Sequence, residues 1–292
     1  MIQDIYPHKL NNHYNPNARA EAEDILLCIV DGAILVRKED FDKNVICYPK
    51  VKELQMVKSN RERESGKEVF EYRYLFSIDD TRYFLLDIPL KPNEIPIGYT
   101  YVGDRSLRKE GIGSDESLFA GITAKHLADW YRDTRYCGRC GGKMVHSLKE
   151  RAMTCEVCHY TAYPRIMPAV IVGVTNGDRL LLTKYRTGFQ YNALIAGFTE
   201  IGETVEETVQ REVMEEAGIK VKNIRYYKSQ PWGSANDILL GFYCDVDGDD
   251  RITMDPEELK YAQWVQREEI ILQPGEFSLT NEMMKRFKEN RI

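Results

Sequence analysis

Two Cys-x-x-Cys pairs, Cys137-Gly-Arg-Cys140 and Cys155-Glu-Val-Cys158, stand 14 residues apart near the middle of the chain and constrain it more than any other feature. Two residues between cysteines let one tight turn aim both thiolates at a single ion, and two such turns on facing hairpins complete a tetrahedron suited to Zn(II). Gly138, Gly141 and Gly142 let the backbone fold closely around it. Four thiolates leave no open position, so the expected zinc is structural, one per chain; His159, beside Cys158, is a substitute ligand. The rival readings are a redox pair, which would want an activating neighbour, or unrelated buried cysteines. Arg132, Arg135, Arg139, Lys143, Lys149 and Arg151 surround the module and either offset its thiolates or make it a nucleic-acid-binding ribbon.

Such a module divides the 292 residues into three expected domains: 1–131, β-rich and ending in a helix; 132–162, the ribbon; and 163–292. With 43% apolar and 29% charged residues the chain can bury cores, which excludes wholesale disorder. Its net charge of -6 argues against a broad basic face for duplex nucleic acid or anionic lipid and leaves room for a local basic patch. The longest apolar candidate, Ile25 to Val36, is broken by Asp31 and Gly32, and the opening MIQDIYPHKL lacks the basic start and apolar block of a secretory signal. The expectation is a cytoplasmic protein without a membrane segment. Cys28, Cys47 and Cys244 lie singly in apolar surroundings, and an odd cysteine total fits reduced thiols.

From Asp24 to Asp87 short apolar runs are joined by turn pairs: DILLCIV, Asp31-Gly32, AILVRK, and later YRYLFSI, Asp79-Asp80, TRYFLLDI. Asp-Gly between such runs is a strong hairpin signal, so an antiparallel amino-terminal domain is expected to about residue 110. Leu118, Ile122 and His126 with Ala120, Ala124 and Leu127 recur at helical spacing and predict a helix from about Ser114 to Trp130, with His126 in a structural role. From Pro168 the chain reads strand, Asn176-Gly177-Asp178 turn, strand, glycine-bearing loop, helix, further strands and a last helix near 278–290. That order predicts a mixed sheet with helices packed on it, making the whole chain an α+β multidomain protein.

The most informative stretch is GFTEIGETVEETVQREVMEEAGI, Gly197 to Ile219. Thr204 and Glu207 form a capping box that starts a helix, and Gly218 suits the left-handed cap that stops it. Val205, Val209, Val213 and Ala217 make the buried stripe, which forces Glu212, Glu215 and Glu216 onto one outward face. Two bare carboxylates about 5 Å apart at an effective dielectric of about 20 repel by roughly 3 kcal/mol, so the face calls for a cation. Oxygen ligands select Mg(II) or Mn(II), ions that usually accompany a phosphate substrate. A solvated acidic face is the bland alternative.

The spacing of Gly197, Glu203, Arg211, Glu212, Val213, Glu215, Glu216, Gly218 and Ile219 reproduces the Nudix box, and the chain over about residues 165–292 resembles the Nudix hydrolases. The resemblance implies an α/β/α sandwich and metal-dependent hydrolysis of a diphosphate linked to a nucleoside. More narrowly, the whole chain resembles the NADH pyrophosphatase subfamily, which joins an amino-terminal domain, a four-cysteine ribbon and a Nudix domain in this order. Tyr163-Pro164-Arg165, the AGF at 196–198 and Ser229-Gln230-Pro231-Trp232 match it; Gly233-Ser234-Ala235-Asn236-Asp237 departs from the bulkier Pro-Phe-Pro type segment that follows the tryptophan there.

Carried over residue by residue, Glu212 and Glu216, the carbonyl of Ala196 and the carboxylate of Glu258 are the implied ligands of Mg(II) or Mn(II), with Glu257 the adjacent alternative to Glu258. Glu215 would bind metal or take a proton from the attacking water. Arg211 and Glu203 would orient helix and loop through an ion pair. Tyr163, Phe198, Gln230 and Trp232 are the substrate-binding candidates, the three aromatic residues by stacking a base or nicotinamide ring. The implied activity converts NADH or NAD to nicotinamide mononucleotide and AMP in a homodimer, and can remove an NAD cap from RNA. Hydrolysis of ADP-ribose or another dinucleotide is the first alternative. A non-catalytic nucleotide sensor or nucleic-acid-binding protein is the second, and the intact REVMEE segment argues against it.

Overall fold

Asp31 and Asp79 both take the left-handed backbone conformation, at φ 48° and 49°, each at the turn where the sequence places a hairpin. The structure is a computed structural model and describes residues 1–55, 57–58, 71–109, 111–257 and 259–292. It divides into two units, one of residues 4–165 with 233–235, the other of residues 1–3, 166–232 and 236–292.

In the first unit, β1 (Leu10–Asn11), β2 (Ile25–Leu27), β5 (Tyr72–Ile78) and β6 (Thr81–Leu86) form a sheet in the order β1-β5-β6-β2. β3 (Ile29–Val30), β4 (Ala33–Arg37) and β7 (Tyr99–Gly103) form a second. Both expected hairpins are present, β3 with β4 and β5 with β6. The expectation of a wholly antiparallel domain fails at one place: β2 pairs with β6 in parallel, Ile25 opposite Tyr83. The run DILLCIV breaks at Cys28 and its two halves join different sheets, while the Cys28 carbonyl accepts from Leu35 N at 3.0 Å. Leu26, Leu35, Leu54, Phe84 and Leu86 are buried together in the core between them.

Helix α1 spans Asp115–Asp133, three residues beyond the expected end. Its buried face holds Leu118, Ile122, Ala124 and Leu127 as read, and also Lys125 and Asp129. Lys125 Nζ donates to Asp129 Oδ2 at 2.7 Å, so these two charges are buried as an i, i+4 pair. His126 Nε2 lies 2.8 Å from the Arg165 carbonyl, and burial lowers its pKa, in keeping with a structural role. The turn at 233–235 packs on the same helix: a β-carbon on Gly233 would stand 2.5 Å from the Ile122 carbonyl oxygen. The unit closes with the ribbon, a three-stranded sheet of β8 (Met144–His146), β9 (Met153–Cys155) and β10 (Thr161–Ala162) in the order β10-β9-β8.

The second unit is an α/β/α sandwich. Its sheet comprises β11 (Met167–Asn176), β12 (Arg179–Tyr185), β13 (Ile195–Phe198), β14 (Val221–Trp232), β15 (Asp237–Val246) and β16 (Leu259–Gln266), ordered β14-β15-β11-β12-β16 with β13 beside β11. The sheet is mixed as expected, since β11 and β15 run parallel and the other pairs antiparallel. Alternate residues of β11 serve opposite faces. Val170, Val172 and Val174 pack with Val209, Val213 and Ala217 of helix α2 (Val205–Ala217). Ile171 packs with Leu279, Met283 and Phe287 of helix α3 (Leu279–Lys288). The first three residues join this unit, Ile2 N donating to the Phe277 carbonyl at 2.9 Å.

The close fit of α1 can be tested at Gly121. Helix propensity alone would make Gly121→Ala favourable by up to about 1 kcal/mol. A methyl there would stand 2.2 Å from the Tyr48 hydroxyl oxygen, and that hydroxyl donates to the Ser117 carbonyl at 2.8 Å. The expected net outcome is destabilisation by about 1–3 kcal/mol, seen as a lower denaturant midpoint. Gly103→Ala, with nothing within 4 Å of the new carbon, is the control. A Gly121→Ala midpoint at or above that of the parent chain would contradict the packing.

Candidate active site and zinc ribbon

Helix α2 begins where its sequence says it should. Glu207 N donates to Thr204 Oγ1 at 3.2 Å and Thr204 N donates back to Glu207 Oε2 at 2.7 Å, while Gly218 at φ 69° closes the other end. With Val209, Val213 and Ala217 fully buried, the glutamates are left on the other side of the helix, and Arg211 lies among them. Its Nε and Nη2 donate to the two Glu203 oxygens at 2.6 and 3.0 Å. Nη1 donates to Glu212 Oε1 at 2.8 Å and to Glu215 Oε2 at 3.0 Å, and Nη2 also reaches the Phe198 carbonyl at 2.9 Å. This bonding raises the guanidinium pKa, and the hydrogen bond from Arg211 with that from Glu200 N pulls the Glu203 carboxyl down to about 2. Glu203 and Arg211 therefore tie the loop after β13 to the helix, the role expected of them.

The three face glutamates meet different surroundings. Glu215 is largely exposed. Glu216 is buried at 3% exposure, and Ala196 N lies 3.4 Å from its Oε1. Glu212 lies against the backbone of β13, so close that a β-carbon on Gly197 would stand 1.9 Å from its carboxyl carbon. A side chain at 197 would have to displace that carboxylate, in keeping with the glycine that opens the box. Residues 196 and 197, Glu212 and Glu216 thus come together where α2 faces β13. The Glu212 and Glu216 carboxylates offer oxygen donors beside a glycine backbone, a cradle whose chemistry fits a hard divalent cation.

The segment DPEEL is brought to the same helix end, with Asp255 N donating to the Glu216 carbonyl at 3.2 Å and Glu257 N to Asp255 Oδ1 at 2.7 Å. Glu258 lies outside the described residues. Phe198, half-exposed, ends β13 beside the cradle. Trp232 ends β14 opposite Asp237 in register. Gln230 is fully buried: its Nε2 donates to the Phe277 carbonyl and its Oε1 accepts from Leu279 N, both at 2.7 Å, which anchors β14 to the start of α3. Tyr163 belongs to the other unit, exposed, its hydroxyl donating to Glu150 Oε1 at 2.9 Å. In the sequence Asp237 stands only within the departing segment 233–237, with no role of its own. It is buried, its Oδ1 makes no hydrogen bond among the described residues, and burial pushes its carboxyl up to about 6. An aspartate directly before the apolar run ILLGF was the available signal.

In the ribbon the four cysteine sulfurs lie within 4.8 Å of one another, the one such gathering of metal-binding side chains among the described residues. Cys137 and Cys158 Sγ are 3.6 Å apart, Cys140 and Cys155 Sγ 3.5 Å. Backbone amides of the knuckles point at sulfur: Arg139 N to Cys137 Sγ and Val157 N to Cys155 Sγ, both at 3.4 Å. The amide of Cys158 leads in pulling the Cys155 thiol down to about 6, toward the thiolate a metal needs. A β-carbon on Gly142 would lie 3.1 Å from Cys155 Sγ. Sulfur number and spacing fit a structural zinc site.

Residues 165–287 match the NUDIX domain, and residues 132–163 the NADH pyrophosphatase zinc ribbon domain. The chain is 41% identical over 178 residues to the NAD-capped RNA hydrolase NudC of Photorhabdus laumondii, a match covering 60% of this chain and 68% of that protein. It is 45% identical over 151 residues to the NudC of Shigella dysenteriae, covering 51% of this chain and 58% of that one. A NUDIX hydrolase from Nitrosomonas europaea of known structure is 23% identical, with a TM-score of 0.47 over 54% of this chain and 92% of its own. With the cradle of α2 and β13, the four-sulfur ribbon, and 41% identity across two-thirds of a NudC protein, the chain belongs to the NADH pyrophosphatase family of Nudix hydrolases.

Proposed function

We propose that the enzyme hydrolyses the diphosphate of NAD(H) to nicotinamide mononucleotide and AMP, and by the same reaction removes an NAD cap from RNA. The observation that carries the reading is the placement of Glu212 and Glu216 against residues 196 and 197, in a chain whose relatives are named NAD-capped RNA hydrolases. A bound Mg(II) or Mn(II) would neutralise the diphosphate and lower the pKa of the attacking water. Glu212, Glu216, the Ala196 carbonyl and Glu258 are the proposed ligands, with Glu257 the alternative to Glu258. Glu215, the most exposed of the three helix glutamates, is suited to accept a proton from water as its oxygen bonds to phosphorus and the bridging P–O bond breaks.

Phe198 and Trp232 are proposed to stack a ring of the dinucleotide; Tyr163 is the third aromatic candidate for substrate, and Gln230, buried with its amide bonded to residues 277 and 279, is proposed to act on substrate only by anchoring β14. We read the chain as three modules, 1–131, 132–162 and 163–292, acting as a homodimer in the cytoplasm. Unpaired cysteines support that compartment, and no described helix is long and apolar enough to cross a membrane.

Specificity constants for NADH, NAD, ADP-ribose and a diadenosine compound test the function. The metal and diphosphate contacts are common to all four, so only contacts to the ring separate them. NADH should therefore be cleaved with a preference of about tenfold to a hundredfold over ADP-ribose and the diadenosine compound. Absence of NADH cleavage would move the protein to the ADP-ribose reading.

The cradle predicts two variants. Glu216→Gln should keep the fold yet lower turnover at least about a hundredfold, because loss of an outer partner of a metal ligand alone costs ten- to a hundredfold. Gly197→Ala should do the same by displacing the Glu212 carboxylate. Glu206→Gln, on the first turn of α2, is the control. Equal activity of Glu216→Gln and Glu206→Gln would misplace the metal site.

A further inference from the structure

Asp237 is 5% exposed, its Oδ1 meets no hydrogen-bond donor among the described residues, and the metal cradle makes no use of it. A carboxylate in that position costs folding free energy, because it gives up water and gains no partner. The register of the sheet shows what surrounds it. Asp237 is opposite Trp232 of β14 on one side and Met167 of β11 on the other. Side chains of paired residues share a face, as do those of residues two apart, which adds Leu239, Ala169 and, across β13, Phe198. Leu239 packs with Leu279 and Met283, so this is the face that carries α3. Four strands thus form a strip about 14 Å across, at about 4.8 Å per strand, with Trp232 at one side, Phe198 at the other and one unanswered acceptor between them. Met167 is 39% exposed and Phe198 50%, so the strip opens to solvent beside the carboxylate.

Chemistry narrows the occupant. A metal ion would need further ligands, and among the described residues no gathering of metal-binding side chains includes Asp237. An anionic group would meet the carboxylate itself, which burial raises to about 6 and which is ionised at pH 8. A neutral flat ring suits the strip, since apolar and aromatic side chains give it area and one fixed polar group sets its orientation. The ring must bring a donor. An amino substituent lies in the ring plane, so it can reach an acceptor at the edge while the faces stay free for stacking. An oxygen substituent at the same edge would set acceptor against acceptor in a place stripped of water.

We propose that Asp237 is a specificity residue that accepts a hydrogen bond from the amino group of a dinucleotide ring, the nicotinamide carboxamide or the adenine amine, and rejects a ring carrying an oxygen in its place. The inference rests on the proposed hydrolysis of NAD(H) and deepens it by naming the substituent that the site selects.

The experiment compares NAD with nicotinic acid adenine dinucleotide and nicotinamide hypoxanthine dinucleotide, each of which replaces one amino group by oxygen. Binding to the full zinc-loaded chain is measured by calorimetry at pH 8 with Mg(II) withheld, and specificity constants are measured with Mg(II) present. One analogue should be disfavoured at least about a hundredfold in both measurements, the nicotinic acid compound if the nicotinamide end lies at Asp237 and the hypoxanthine compound if the adenine end does. Asp237→Asn, whose amide presents either a donor or an acceptor, should bring that ratio within about tenfold, the change appearing in KM with kcat within about threefold. Its melting temperature at pH 8 should equal or exceed that of the parent, because the substitution removes a buried charge and no partner. Glu206→Gln should keep the parental ratios. Ratios below tenfold for both analogues, or a ratio unchanged in Asp237→Asn, would overturn the proposal while NAD turnover left the activity standing. Selective binding without turnover would overturn the proposed activity and leave the role of Asp237 standing, and absence of both binding and turnover would overturn the two together.

Discussion

Repulsion among the carboxylates around α2 is the force against which the catalytic unit is organised. Glu203, Glu212, Glu215 and Glu216 share one region, and each close pair at about 5 Å costs roughly 3 kcal/mol at an effective dielectric of about 20. Arg211 answers three of them at once and still reaches the Phe198 carbonyl. A guanidinium is suited to this because its donors diverge in one rigid plane, whereas a lysine ammonium would reach fewer partners from one position. The same side chain therefore fixes the loop after β13, the start of the helix and the spacing of the acidic face. Catalytic geometry and local stability depend on one fork of hydrogen bonds.

That fork works only because the opposite side of α2 is committed elsewhere. Val209, Val213 and Ala217 are fully buried against Val170, Val172 and Val174, so α2 cannot roll its glutamates apart without exposing apolar surface. Burying one such side chain is worth about 1.5–3 kcal/mol, comparable with the repulsion it opposes. The ribbon solves the opposite problem. Its buried apolar residues amount to a few side chains such as Met144, Ala152 and Met153, too small a core for strands of two and three residues. Metal binding supplies the missing folding free energy, and the backbone amides aimed at Cys137 and Cys155 prepare the thiolates for it.

Both sites were legible because each is encoded over a short stretch of chain. The capping box at Thr204 and Glu207, the glycine stop at Gly218 and the four-residue valine stripe are local signals, as are the paired knuckles and the Asp-Gly turn. What was not legible depends on partners distant in sequence. Parallel pairing of β2 with β6 joins residues near 25 to residues near 83, and nothing in DILLCIV announces that it divides at Cys28. Lys125 and Asp129 are buried because each answers the other across one helical turn, whereas a stripe reading assigns charged residues to solvent. Gln230 invites assignment to substrate because it adjoins Trp232, but residues 277 and 279 complete its hydrogen bonds and make it an anchor of α3.

The turn after Trp232 shows how packing can imitate specificity. Read along the chain, Gly233-Ser234-Ala235 resembles a pocket wall reduced to admit more substrates. In the structure the turn packs on α1: a β-carbon at Gly233 would lie 2.5 Å from the Ile122 carbonyl, and the Ser234 carbonyl accepts from the buried Lys125 at 3.4 Å. The helix itself therefore requires glycine at 233. Trp232 and Asp237, which flank the turn and remain in the catalytic unit, pair in register, and the buried Asp237 Oδ1 has no hydrogen-bond donor among the described residues. A carboxylate so placed favours a group that brings a donor, because the donor meets an acceptor already stripped of water and the desolvation cost has been met in folding.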